Sequence, residues 1–212
     1  STVGYSVNTT FYVWAAFFNV ILTYGMETAF FRYFSHSDKK GQVFSTAFIS
    51  LTVTTIFFFG LVFLFKGQLI DLVDLNPKYF NMLLAILALD ALVVVPFAYL
   101  RASNRPIKFA SIKIFNIAIV VLVNFFFLWL VPDYTGLVPD FVLVRYSSED
   151  QVKYIFLANL LASGDTFLIL LPYFFKSKIE FEFGIFKQMW KYGWPNMIAG
   201  IAFIDLLKFK IH

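Results

Sequence analysis

Long apolar blocks separated by short polar ones make up most of this chain. Blocks near or above the ~18 residues that cross a bilayer recur over residues 7–34, 43–65, 79–100, 109–131 and 154–175. A sixth candidate, residues 193–207, is only about 15 residues long, short of the ~17–25 a span needs. The ~10-residue alternating segments of a transmembrane β-barrel do not occur. The pattern predicts an all-α, polytopic membrane helix bundle of about five to six transmembrane helices, forming a single domain over residues 1–212.

The polar blocks between the spans are short, apart from residues 132–153. That connection is well supplied with turn formers: Pro132, Asp133, Gly136, Pro139 and Asp140. Its centre, FVLV at residues 141–144, is expected to form a small strand or to lie on the lipid surface. Residues 179–192 mix charged and apolar positions, with Glu180, Glu182, Lys187 and Lys191. They read equally as an amphipathic helix along the membrane interface or as an ordinary loop helix, leading into Trp194 and Pro195.

Polar residues inside the spans also follow a pattern. On the first span Asn8, Tyr12, Asn19, Thr23 and Glu27 recur at helical spacing and keep to about a third of the circumference. A polar stripe ending in a carboxylate argues for a face turned away from lipid, because ionisable groups in membranes usually face a bundle interior or a wet cavity. Arg32 lies roughly 140° around the helix from Glu27, so each is expected to find its partner elsewhere. Arg32 can also snorkel to the headgroups, and Glu27 can serve as an interhelical hydrogen-bonding group. Asp90 falls near the middle of the third span, where a charged Asp costs at least ~2.5–3.5 kcal/mol. It reads as a structural hydrogen-bonded acid or as a cavity residue coupled to an ion. Pro96 follows it and is expected to kink that helix. Further stripes comprise Ser45, Thr52 and Thr55; Lys113, Asn116 and Asn124; and Asn159, Ser163 and Thr166, with Asp165 nearby. Each alone is ordinary interhelical stitching; together they suggest a hydrated interior.

Composition agrees with the pattern. Sixty per cent of the residues are hydrophobic, 21% are aromatic and 14% are charged, and 30 of the 212 are Phe. That is too apolar for a water-soluble surface. With no Cys there is no disulfide framework, CxxC pair or thiolate metal site. His36 reads as a solvated loop residue, and His212 is far from it in sequence. No cofactor is implied, and neither a metal cluster nor a nucleophile–base arrangement supports an enzyme. A GxxxxGK[ST] phosphate loop is missing as well. The net charge of +4 is no nucleic-acid signal, since topology explains the basic residues. Eleven Lys and Arg follow the first, third and fifth spans, against four in the two intervening loops. By the positive-inside rule the first set is cytoplasmic and the chain begins outside. Lys208 and Lys210 interrupt the last candidate span, so that helix stops early and they snorkel, or the tail is not the protein's natural continuation.

The series TYGMETAFFRYFS (residues 23–35), VFSTA (43–47) and ALDALVVVPFAYLRASNRPIKFASIKIFNI (88–117) resembles helices two, four and five and their loops in Wzx-type polysaccharide flippases. These belong to the multidrug/oligosaccharidyl-lipid/polysaccharide (MOP) exporter superfamily. YIFLANLLAS (154–163) and KQMWKYGWPNMIAGIA (187–202) are similar to that family's sixth helix and the start of its seventh. The resemblance covers residues 12–202; FIDLLKFKIH beyond it departs from the family. It implies part of a MATE-like lobe, lacking the first helix and the second lobe. It also implies translocation of an undecaprenyl-diphosphate-linked oligosaccharide across the bacterial inner membrane. Membrane lipids and a coupling ion, proton or sodium, would be the other partners. Under that resemblance the cavity candidates are Glu27, Arg32, Asp90, Arg101, Asn19, Thr23, Asn116 and Asn159. Arg32 and Arg101 would contact charge on the substrate, and Glu27 and Asp90 would couple ions. The alternatives are a drug or small-cation exporter, or a non-transporting membrane enzyme of polysaccharide assembly.

Overall fold

The structure is a computed structural model that describes residues 2–73, 76–133, 143, 146–147, 151–175 and 178–211; side chains are described from residue 13, leaving out 71–73 and 203–211. Among these residues the fold is all-α. The helices are α1 (Thr2–Thr23), α2 (Met26–His36), α3 (Lys40–Leu64), α4 (Lys66–Val73) and α5 (Pro77–Ala102). Then come α6 (Pro106–Asp133, whose Phe126–Leu130 segment is a π-helix), α7 (Gln151–Phe174) and α8 (Phe183–Ile211).

Four of these, α3, α5, α6 and α7, are long and apolar enough to cross a membrane. Their ends fall within a turn of the spans expected over 43–65, 79–100, 109–131 and 154–175. Pro77 and Pro106 explain two of the starts, since Pro at the first helical position gives up an amide that has no intrahelical partner. Asn76 also caps α5, accepting a hydrogen bond from the Lys78 amide at 3.0 Å.

Three expectations change. The first span is not one helix: α1 and α2 are separated at Tyr24 and Gly25, whose φ values are +36° and +72°. Two successive residues in the left-handed region break the hydrogen-bond ladder. A close crossing requires that break, because a Cβ on Gly25 would stand 2.2 Å from the Gly193 carbonyl oxygen. Gly193 and Gly200, two turns apart on α8, let that helix approach the Tyr24–Gly25 break and Val20. Second, the 179–192 segment and the sixth candidate span do not form separate elements, because α8 runs unbroken from Phe183 through Pro195. Third, the connection after α3 contains the short helix α4, which the sequence reading passed over. Of the expected strand at 141–144, only Leu143 is described, and its backbone is helical.

The axis of the bundle is α5. It packs against α1, α2, α3, α6 and α7 and buries Leu83, Leu87, Ala91, Val95, Ala98 and Leu100. Helix α5 continues through the buried Pro96 as a single helix. By contrast α6 buries almost nothing in its most apolar stretch, and Ile114, Phe115, Ile117, Val121 and Leu122 are exposed along it. Within lipid such side chains have no hydrophobic reason to turn inward; close packing and hydrogen bonds hold the helices together instead. At one end Phe34 and Phe44 pack edge-on against Tyr99 at 5.5 and 5.4 Å. Each such contact is worth about 0.5–1.5 kcal/mol beyond area.

The three basic loops meet at that end. The Glu180 amide donates to Ser45 Oγ at 2.7 Å, and the Glu182 amide to Thr46 Oγ1 at 3.1 Å. The segment before α8 is thereby tied to the start of α3. Ser45 thus serves this junction rather than an interior face.

Candidate functional site

A cavity of about 270 Å³ opens between α1, α2, α5, α6 and α7. Its ionisable residues are Glu27, Asp90 and Lys113. Asn19, Asn116, Asn159, Ser163 and Thr166 add neutral polar groups. Ile86, Val93, Val94 and Phe97 of α5 supply the apolar part of the wall.

Helical spacing on three elements builds this arrangement. Asp90, Val94 and Phe97 recur at three- and four-residue steps on α5, as do Phe109, Lys113 and Asn116 on α6 and Asn159, Ser163 and Thr166 on α7. The Ser163 hydroxyl donates to Asp90 Oδ1 at 2.8 Å, satisfying one carboxyl oxygen across the α5–α7 contact. Asn116 Nδ2 donates to the Ala162 carbonyl and to Thr166 Oγ1, both at 2.9 Å, and joins α6 to α7. Asn159 Nδ2 donates to the Ile155 carbonyl at 2.8 Å. Asn19 Oδ1 is buried without a hydrogen-bond partner. A buried amide oxygen in that condition is under-satisfied, and it lies in a wall large enough to admit water or a polar ligand group.

Lys113 sits about 10 Å along α6 from its start at Pro106. Its side chain is exposed, and its ammonium lies 4.4 Å from the centre of the Phe97 ring, a cation–π contact. Lys113 was counted among the loop cations. Its three-residue spacing to Asn116, the polar stripe read from the sequence, is what turns it to the cavity.

Glu27 lies in the first turn of α2 and forms an ion pair with Arg101 of α5. It lines both the inner cavity and a larger outer depression of about 590 Å³ that also includes Thr28, Phe31, Arg101, Asn104 and Pro106. The pair therefore stands at the boundary between the two spaces. Both side chains keep more than a third of their surface exposed, at 38% and 47%. At that exposure the pair contributes about 0–1 kcal/mol. The Arg101 guanidinium also lies 5.3 Å from the centre of the Phe109 ring.

Of the eight sequence candidates, Asn19, Glu27, Asp90, Asn116 and Asn159 line the cavity. Arg101 stands at its margin through Glu27. Arg32 lies elsewhere: it is exposed, and its guanidinium packs 4.5 Å from the centre of the Tyr192 ring on α8. Thr23 donates to the Asn19 carbonyl at 2.8 Å and is not part of the cavity wall. The side chains of Asn8 and Tyr12, the other members of the first stripe, lie outside the described residues. His36 is an exposed residue whose Nδ1 is 2.8 Å from the Arg32 carbonyl oxygen.

No family model, no curated protein and no solved structure matches this chain.

Proposed function

We propose that this chain forms part of a transporter that moves an undecaprenyl-diphosphate-linked oligosaccharide across the bacterial inner membrane for polysaccharide or O-antigen export. The observation that carries the reading is the mixed-charge polar cavity inside a bundle whose outer faces are bare hydrocarbon. A sugar–diphosphate headgroup cannot enter hydrocarbon without losing its hydrogen bonds. A wall of Asn, Ser and Thr replaces those bonds, and Lys113 offers a cation to a phosphate oxygen. The exposed apolar faces of α3 and α6 leave room for a polyprenyl chain to stay in lipid beside the cavity. The motif resemblance of residues 12–202 to polysaccharide flippases points the same way.

A drug or small-cation exporter is the second reading, favoured by the presence of Glu27 and Asp90 in one cavity. Against it, Lys113 occupies the same wall as Asp90 and already supplies a positive charge there.

The test is export in cells whose surface polysaccharide depends on this gene. Lys113→Gln and Asp90→Asn should each lower surface polysaccharide at least tenfold at matched membrane protein level. Full export by both variants would sink the reading. Loss of resistance to cationic drugs with normal polysaccharide would transfer it to the second.

A further inference from the structure

A second recess lies on the outside of the bundle, between the start of α6 and the end of α7, with a volume of about 650 Å³. Its polar members are Lys108, Ser111 and Tyr173; Ile107, Ile112 and Ile169 make its apolar floor, beside Pro172. It is distinct from the central cavity. Phe109, Lys113 and Asn116 turn one face of α6 to the cavity. Lys108 and Ser111 are rotated roughly 100–160° from Phe109 and open outward. Lys108 and Ser111 are exposed, and Ile107 and Ile169 keep 80% and 40% of their surface uncovered.

Position and chemistry coincide. Lys108 is the third residue of a membrane-length helix, and Tyr173 is the last but one of another. Both therefore sit at the depth where headgroups lie, while Ile112 and Ile169 lie about one turn further into hydrocarbon. Arg101 and Arg105 surround the same end with further positive charge. An ammonium and two side-chain hydroxyls above an apolar slot match an amphiphile that carries one phosphate above an acyl chain. No ion pair to Lys108 occurs among the described residues. A basic pocket between transmembrane helices is the kind of surface that takes up an anionic headgroup.

We propose that this groove binds an anionic phospholipid of the surrounding leaflet, with its phosphate on Lys108 and Ser111 and one acyl chain along Ile112 and Ile169. The occupied groove would fill the recess between α6 and α7 on the lipid side, where α6 buries almost nothing in its apolar stretch.

The full chain, purified in detergent, is incubated with phosphatidylglycerol or phosphatidylcholine of the same acyl chains, and retained lipid is counted by native mass spectrometry. Phosphatidylglycerol should be retained about tenfold better than phosphatidylcholine. Lys108→Gln should remove most of that preference, Lys108→Arg should keep it, and Lys178→Gln, at the same end but off the groove, should leave it intact. Should Lys108→Gln not give folded protein, Ser111→Leu, which fills the slot with an apolar side chain, should lower retention of phosphatidylglycerol likewise. Equal retention of both lipids, or undiminished preference in a folded Lys108→Gln or Ser111→Leu variant, overturns the proposal. So does displacement of phosphatidylglycerol by millimolar inorganic phosphate alone, which would show that the acyl chain has no part. None of these readouts depends on export, so this proposal and the transport reading fail separately.

Discussion

At Asn116 a single amide closes two hydrogen bonds between helices, to the Ala162 carbonyl and to Thr166 Oγ1. Thr166 also donates to the Ala162 carbonyl at 2.7 Å, so the three groups form one small network. Removing Asn116 therefore leaves Thr166 satisfied. Hydrogen bonds between membrane helices average about 0.6 kcal/mol and reach about 1.7. Asn116→Ala should destabilise the bundle by about 1 kcal/mol, read as a lowered midpoint in detergent unfolding. Thr166→Val in the Asn116→Ala background should cost less than it does alone, and a double-mutant cycle that shows no coupling would remove the network. The residue scale also shows which cavity-lining positions stand out in the sequence. Asn116, Asn159, Ser163 and Thr166 were legible because polar groups at helical spacing stand out against apolar neighbours. Lys113 shares a polar stripe with Asn116 in the sequence, but a basic residue near a span end also counts toward topology, so the stripe alone did not single it out as a site residue. Arg32 lies apart from the cavity: its charge is visible in sequence, but the Tyr192 ring that receives it comes from α8, far along the chain.

Among the helices, the same contrast separates local from non-local causes. The four long spans are set by runs of apolar residues and by Pro77 and Pro106, all read within a few residues. The break between α1 and α2 has a local signal, Gly25, yet its cause is the distant Gly193. A glycine in an apolar run is otherwise common packing material in membrane helices. The merger of residues 183–211 into one helix was likewise hidden, because residues 179–192 and 193–207 differ in composition and read as separate segments. The crossing gives a sharp expectation. Gly25 has a φ of +72°, and a Cβ there would meet backbone that cannot yield by rotating a side chain. Left-handed geometry costs a residue with a side chain roughly 1–2 kcal/mol, and the collision adds to it. Gly25→Ala should lower yield of folded protein and the unfolding midpoint markedly. Gly41→Ala, where a Cβ meets nothing within 4 Å, should be neutral or mildly stabilising. Equal stability of the two variants would show that the α1–α2 break does not require glycine.

Taken whole, the molecule is ordered by its two ends. The connection between α2 and α3, the turn between α5 and α6 and the segment before α8 lie together, joined by the Phe34–Tyr99 and Phe44–Tyr99 ring contacts and by the Ser45 and Thr46 hydrogen bonds. The eleven Lys and Arg that follow the first, third and fifth spans lie in these connections or in the helices that flank them. Charge counting and geometry are independent of each other, because the count uses residue type alone and the contacts use position alone. Their agreement makes one end of the bundle positive, and basic residues near span ends are held on the cytoplasmic side during insertion. The chain has no native Cys, so single introduced thiols report without background. Ser37→Cys and Ser103→Cys should react with a membrane-impermeant maleimide only after the cells are opened. Lys78→Cys, just inside the opposite end of α5, should react in intact cells. Labelling of Ser37→Cys and Ser103→Cys from outside, with Lys78→Cys protected, would invert the bundle. Labelling of only one of the first two would separate loops that the packing of Phe34 and Phe44 on Tyr99 holds at one end, and would refute the arrangement itself rather than its orientation.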